Sequence, residues 1–284
     1  MPDLVALINE ATELAHAKRE SPFRVHLGAS LIGRPCDREL WYTFRWALAP
    51  NHGGRILRLF DRGSREEFQF IVMLGNAGVH VLDKDPATGK QWRVADVDGH
   101  FGGSLDGIAT SLGVVEALGD VIPAGTPFLT EFKTHGTKSF CDLVAQRNLR
   151  LAKPEHYRQM QVYMLKRELK HGLYLAVNKN DDDLYAEIVE CDPEVGKKMI
   201  KRAERIIRSP TPPNRIGKHP SWFECKFCSY SKVCHYGEPM LRNCRTCRHS
   251  APVEDGQWRC GKWEAIIPLA EIIKGCEHHS VITD

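Results

Sequence analysis

Apolar residues recur at helical spacing over residues 3–18, where Leu4, Leu7, Ile8, Ala11, Leu14 and Ala15 fall on one face. Gly33 and Pro35 then mark a turn into a helix carrying Cys36, Leu40 and Trp41. A longer helical pattern covers residues 55–75, with Phe60, Gly63, Glu67, Phe70, Ile71 and Leu74 on one stripe. From residue 79 the period changes to that of strands. Residues 79–82 and 91–97 read as two of them, and the Asp98-Gly99 turn signal leads into a return strand over 100–109. After a loop around residues 123–127, Phe128, Leu129 and Phe132 mark a short strand over 129–134. Residues 138–150 look helical, and Pro154 opens a clear helix over 155–170 by the preference for proline in the first turn. Strands over 173–178 and 184–190 follow, joined at Asp181, Asp182 and Asp183, and Pro193 starts a helix that runs to Ser209.

Strand geometry gives the 129–134 segment its chemistry. Successive side chains point to opposite faces, so Glu131 and Lys133 emerge together. A carboxylate beside an ammonium suits metal-assisted chemistry on a phosphate, and equally makes an ordinary surface ion pair. Glu67 interrupts an otherwise apolar helix face, where an unpaired acid is costly, so it needs a partner or a metal. Glu66 is its neighbour and competes for that role, with face geometry favouring Glu67. Asp106 sits within Gly102-Gly103-Ser104-Leu105-Asp106-Gly107, where flanking glycines allow close backbone approach. A turn Asp has the same appearance. Asp106 and Glu131 lie on neighbouring strand segments, as a shared metal site requires. Gln159 and Tyr163, four apart, share a helix face, which also fits a surface Gln with a core Tyr.

The chain has 284 residues, enough for one main domain and a small appendage, and its net charge of +3 is only mildly basic. The cations are unevenly spread. Lys197, Lys198, Lys201, Arg202, Arg205 and Arg208 crowd one helix, which reads as a solvated face or as a surface for a phosphate backbone. No run approaches a transmembrane helix and the N-terminus lacks a secretory signal, so a soluble, cytoplasmic protein is expected, with no membrane partner. The ten cysteines then argue for metals rather than disulfides. Cys225, Cys228 and Cys234 form a C-x2-C-x5-C group that lacks a fourth ligand, and Cys36 is a spare. Cys244, Cys247, Cys260 and Cys276 form a second group of four, with His249, His278 and His279 as alternative ligands.

Taken together, these residues resemble the RecB-like branch of the PD-(D/E)XK nuclease superfamily. The chain looks like the iron–sulfur nucleases of that branch, those of CRISPR adaptation and of AddB-type helicase–nucleases, and like short phage-encoded exonucleases. Gly63 with Glu67, Asp106 in Gly-Ser-Leu-Asp-Gly, Glu131-Phe-Lys133, Gln159 with Tyr163, and the split Cys36–Cys225–Cys228–Cys234 set match its motifs in order. The sequence departs from many relatives in carrying Glu where they have His, and in adding the C-terminal cysteine module. The resemblance implies an α/β, restriction-endonuclease-like core: a central mixed sheet flanked by helices, with a cysteine-rich metal-binding C-terminal region. It implies a nuclease domain over 1–240 and a small zinc-binding module over 241–284. Glu67, Asp106 and Glu131 would bind Mg²⁺ or Mn²⁺, with the Phe132 carbonyl as an extra ligand. Lys133 would orient water, and Gln159 and Tyr163 would line the site and meet DNA. Cys36, Cys225, Cys228 and Cys234 would hold a [4Fe–4S] cluster, with zinc as runner-up, since four thiolates suit both.

The implied function is metal-dependent DNA hydrolysis at ends or single strands, in recombination, repair or replication, acting in the cytoplasm (a host's, for a phage-encoded chain). The alternative is a non-catalytic nucleic-acid-binding scaffold on the same fold. A redox protein is disfavoured because no G-x-G-x-x-G follows a strand, and the lack of a P-loop means that any unwinding comes from a separate helicase or recombination partner.

Overall fold

A computed structural model describes residues 3–19 and 23–283. In chain order the helices are α1 (Leu4–Arg19), α2 (Asp37–Phe44), α3 (Gly54–Asn76), α4 (Thr137–Gln146), α5 (Leu149–Ala152), α6 (Pro154–Arg167), α7 (Pro193–Arg208), α8 (Phe223–Lys226), α9 (Ser231–Tyr236) and α10 (Leu269–Lys274). The strands are β1 (Leu27–Gly28), β2 (Val79–Leu82), β3 (Arg93–Asp96), β4 (Phe101–Ser104), β5 (Gly107–Ser111), β6 (Val115–Ala117), β7 (Asp120–Ile122), β8 (Phe128–His135), β9 (His171–Asn178), β10 (Leu184–Glu190), β11 (Ser250–Pro252), β12 (Trp258–Cys260) and β13 (Ala265–Ile267). The chain divides into two compact units, each assembled from separated stretches. The first comprises Met1–Glu20, Asn51–Val94 and Gly103–Lys198; the second comprises Ser21–Pro50, Ala95–Gly102 and Met199–Asp284. No described helix is long and apolar enough to cross a membrane.

The first unit is mixed α/β. Its five-stranded sheet has the order β10-β9-β8-β5-β2, with β8 and β9 parallel and the other pairs antiparallel. Parallel neighbours need a long crossover, and α4, α5 and α6 supply it. One sheet face is apolar. Phe128, Phe132, Leu173, Leu175, Val177 and Ile188 pack there with Phe70 of α3. The other face carries Glu131, Lys133 and His135 of β8, two residues apart each, and Tyr174, the register partner of Glu131.

Two local expectations are corrected. The return strand over 100–109 is not continuous: it breaks at Leu105–Asp106, so β4 pairs with β1 and β3 while β5 joins the five-stranded sheet. Helix α1 forms, but its apolar stripe does not hold it. Leu4, Leu7, Ile8 and Leu14 are exposed. The contacts to α3 are polar instead: His16 on Asp61 at 3.1 Å, the Gly54 amide donating to Glu13 at 2.7 Å, and Arg58 donating to Asn9 at 2.7 Å.

The second unit holds β1, parts of β3 and β4, the β11-β12-β13 sheet, and the short helices α8, α9 and α10. Its centre is aromatic and cationic. Trp258 is fully buried against Phe44 and His100, and the guanidinium groups of Arg45 and Arg245 lie over its ring at 5.0 and 4.8 Å. Arg45 donates to the carbonyls of Arg245, Ser250 and Ser209, and Arg245 to those of Phe44 and Val25. The three arginines of α7 are also committed within this unit. Arg202 and Arg205 both pair with Asp37, and Arg208 pairs with Glu204 and Asp98. The acids that answer these arginines come mainly from distant stretches of the sequence, which is why the helix alone reads as an open basic face.

Candidate active site and cysteine sites

Each acid of the site is delivered by a local rule of its own element. Glu131 and Lys133 share a face of β8. Asp106 occupies the break before β5, and β5 pairs with β8 so that Gly107 lies opposite Thr130. A Cβ at Gly107 would meet Val81 at 2.7 Å and the Thr130 hydroxyl at 2.8 Å, so the glycine permits the close strand approach expected of it. The carboxylate of Asp106 accepts the Phe132 amide at 2.8 Å and faces Lys133 at 3.9 Å. Lys133 in turn pairs with Glu131 and donates to the Phe132 carbonyl at 3.0 Å. Helix α6 sends in Gln159, whose amide donates to the same Glu131 oxygen at 2.8 Å. Gln159 is buried, so the reading of it as a surface residue does not hold. Tyr163, one turn on, is buried with its hydroxyl pressed against Gly103, where a Cβ would collide.

Glu67 of α3 completes the set. Burial raises its pKa to about 7, and Asp106 adds to this while Lys133 opposes it. It is thus the acid of the Glu66–Glu67 pair whose charge is felt by Asp106, Lys133 and Glu131. Burial likewise lifts Glu131 to about 7 against the pull of Lys133, with Asp106 and Glu67 pushing the same way as burial. Burial lowers the pKa of Lys133, but Glu131, Asp106 and Glu67 together outweigh it and hold the ammonium charged. Three carboxylates against one ammonium leave an excess of negative charge. One oxygen of Glu131, a residue with no exposure, has no hydrogen-bond partner among the described residues. An unpaired buried carboxylate oxygen costs on the order of 1–3 kcal/mol or more. A hard divalent cation would remove both the unmet acceptor and the charge excess, so the residues present fit one.

Sequence reasoning missed a polar chain beside this cluster. His135 and His156 both bond the Tyr174 hydroxyl, at 2.8 and 2.9 Å, and His135 continues to Ser139 at 3.1 Å and on to Lys153 at 2.9 Å. Burial lowers the pKa of His135 to about 4 and of His156 to about 3, with Lys133 and Lys153 acting in the same direction on both. Both rings are neutral at pH 7. The signal was present: His135 follows Glu131 and Lys133 at strand spacing, and His156 precedes Gln159 and Tyr163 at helical spacing.

The second unit gathers its cysteines into the two expected sets. Cys36, the N-cap of α2, lines one pocket with Cys225, Cys228 and Cys234, together with Tyr42 and Tyr230. Burial raises the Cys228 thiol to about 11, and Cys36 and Cys234 add to it. Cys244 is also raised to about 11, by burial first and then by Cys276, Cys247 and Cys260. Clustered thiols resist ionisation without a cation and would release protons to one. Among the candidate histidines, His279 is engaged with Thr246 at 3.1 Å and His278 lies against the Trp263 ring.

No family model and no curated protein matches the chain. Among solved structures it is similar to SSO0001, at 15% identity and a TM-score of 0.45, covering 82% of this chain and 96% of that one. It is similar to LHK-Exo in complex with dAMP, at 15% identity and a TM-score of 0.45, covering 64% of this chain and 86% of that one. The alkaline exonuclease LHK-Exo from Laribacter hongkongensis gives 16% identity and a TM-score of 0.45, covering 69% and 90%.

Proposed function

We propose that the chain is a divalent-metal-dependent deoxyribonuclease of the PD-(D/E)XK type, acting on DNA ends or single strands. The observation that carries this reading is the fully buried Glu131, with one oxygen unpartnered, set against Asp106, Glu67 and Lys133. Glu67, Asp106 and Glu131, with the Phe132 carbonyl, would hold Mg²⁺ or Mn²⁺. A bound cation of that class would polarise the scissile phosphate and lower the pKa of the attacking water. The chain's own residues do the rest. Gln159 donates to one Glu131 oxygen and leaves the other free. The Phe132 amide fixes Asp106. Lys133, charged and half-buried, holds an ammonium where negative charge develops on a phosphate oxygen.

On the same reading, Cys36, Cys225, Cys228 and Cys234 hold a [4Fe–4S] cluster, and Cys244, Cys247, Cys260 and Cys276 hold zinc within a C-terminal module. The test is digestion of DNA labelled at the 5′ or the 3′ end, single- and double-stranded, with Mg²⁺ or Mn²⁺. Lys133→Ala is expected to lower the rate by at least about 100-fold. Full activity in that variant would defeat the reading, and binding without cleavage under either metal would favour a scaffold.

A further inference from the structure

At one rim of the apolar core, two strands of the large sheet and the neighbouring β7 each end on a side chain able to ligate a metal. Each closes a row of core residues by strand alternation. On β9, His171 precedes Leu173; on β10, Glu190 follows Ile188; on β7, Asp120 precedes Ile122; and all three of those neighbours lie in the apolar core. His171 and Glu190 are register partners. One donor atom from each of Asp120, His171 and Glu190 lies within 4.8 Å of the other two.

We propose that these three residues bind a divalent cation of the zinc class. This site is distinct from the carboxylate cluster and does not depend on the nuclease reading. His171 stands three positions before Tyr174, the partner of Glu131. That odd spacing turns it to the opposite sheet face, about 10 Å further along the strand. The ring of His171 is mostly buried yet poorly held. Its Nε2 is 3.5 Å from Asp120, and its Nδ1 is buried without a partner among the described residues. A good hydrogen bond is shorter, at roughly 2.7–3.2 Å. Two ligands of one tetrahedral ion at 2.0–2.1 Å stand about 3.4 Å apart, which matches the observed separation. An imidazole with two carboxylates favours a borderline cation over Mg²⁺, whereas the oxygen-only set around Glu131 favours the hard one. Glu190 is exposed and Asp120 half-exposed, so water can enter and complete the shell.

The test uses the full chain, stripped of metal and titrated with zinc alone against a chromophoric chelator. Wild type is compared with His171→Gln and Glu190→Gln. The cysteine sets take zinc equally in all three proteins, so the site appears as a difference. Both variants are expected to bind one zinc fewer, or to bind that equivalent at least about tenfold more weakly. Both should also lose its share of the zinc-induced rise in thermal midpoint. Equal stoichiometry and affinity in wild type and variants would overturn the proposal. Should His171→Gln not fold, the exposed Glu190→Gln decides alone, with unchanged zinc binding counting against the site. DNA cleavage by Glu190→Gln is expected to match wild type, which keeps this outcome separate from that of the active-site test.

Discussion

Both units bury charge, and they do so in opposite ways. In the second unit the guanidinium groups of Arg45 and Arg245 are spread over carbonyl oxygens and aromatic faces, both against the fully buried Trp258. Burial lowers their pKa values to about 10 and about 9, so both remain charged at neutral pH. In the first unit, Glu67, Asp106 and Glu131 face one another with a single lysine among them and one oxygen unmet. A buried charge whose donors are mostly answered from within the chain serves the fold. A convergent set of acids around a single lysine is the arrangement that the proposed metal-dependent cleavage requires.

The sharpest way to break that contrast is to neutralise one member of each set. Glu131→Gln is expected to lower DNA cleavage by about 1000-fold or more in end-labelled digestion. It should also raise the thermal midpoint of the metal-free protein, because one of three carboxylates facing a single ammonium is gone. Arg245→Met should do the reverse in kind. It leaves the Phe44 and Val25 carbonyls without their donor and should cost on the order of 3 kcal/mol, read from the denaturant midpoint. If Glu131→Gln destabilises as much as Arg245→Met, the distinction between the two burials fails.

A third measurement follows from protonation. Glu67 and Glu131 have folded pKa values near 7, above the ordinary value of 4.5. Groups raised in this way contribute stability that is fully present below the unfolded pKa and lost as pH rises through the folded one. Relative to the Glu67→Gln/Glu131→Gln double variant, metal-free wild type should therefore lose a few degrees of thermal midpoint between pH 5.5 and 8. Excess Mn²⁺ should abolish that loss. His135 and His156 have the opposite sign, their contribution falling away below pH 6.5, and they are shared by both proteins, so the difference isolates the acids. The smallest effect sharpens helix phase. Glu66→Gln should leave cleavage within about twofold, whereas Glu67→Gln should lower it at least tenfold.

Much of the site was legible because its residues obey short-range periods. Strand alternation joins Glu131 to Lys133, helical spacing joins Gln159 to Tyr163, and an acid on an apolar stripe singles out Glu67. What could not be read depended on partners far away in sequence. The arginines of α7 look free until Asp37 and Asp98 arrive from other segments. The strand over 100–109 looks continuous because nothing local says that its halves belong to different sheets. Helix α1 has a convincing apolar stripe, yet Glu13, Asn9 and His16 on its polar side make the contacts. Asp120 could not be singled out, since its proximity to His171 and Glu190 exists only once β7 is placed.

The interleaving of the two units sets an order of events during synthesis. Cys36 leaves the ribosome early, but its companions Cys225, Cys228 and Cys234 come only after all three central strands of the large sheet have been made. At ordinary elongation rates that interval is about ten seconds or more. Throughout it the Cys36 thiol waits on the nascent chain while the sheet of the first unit can already begin to fold. On the proposed reading, cofactor delivery to the four-thiol pocket would then be a late step, and a supply of iron or zinc would act as the last checkpoint on a chain whose acidic cluster is already formed.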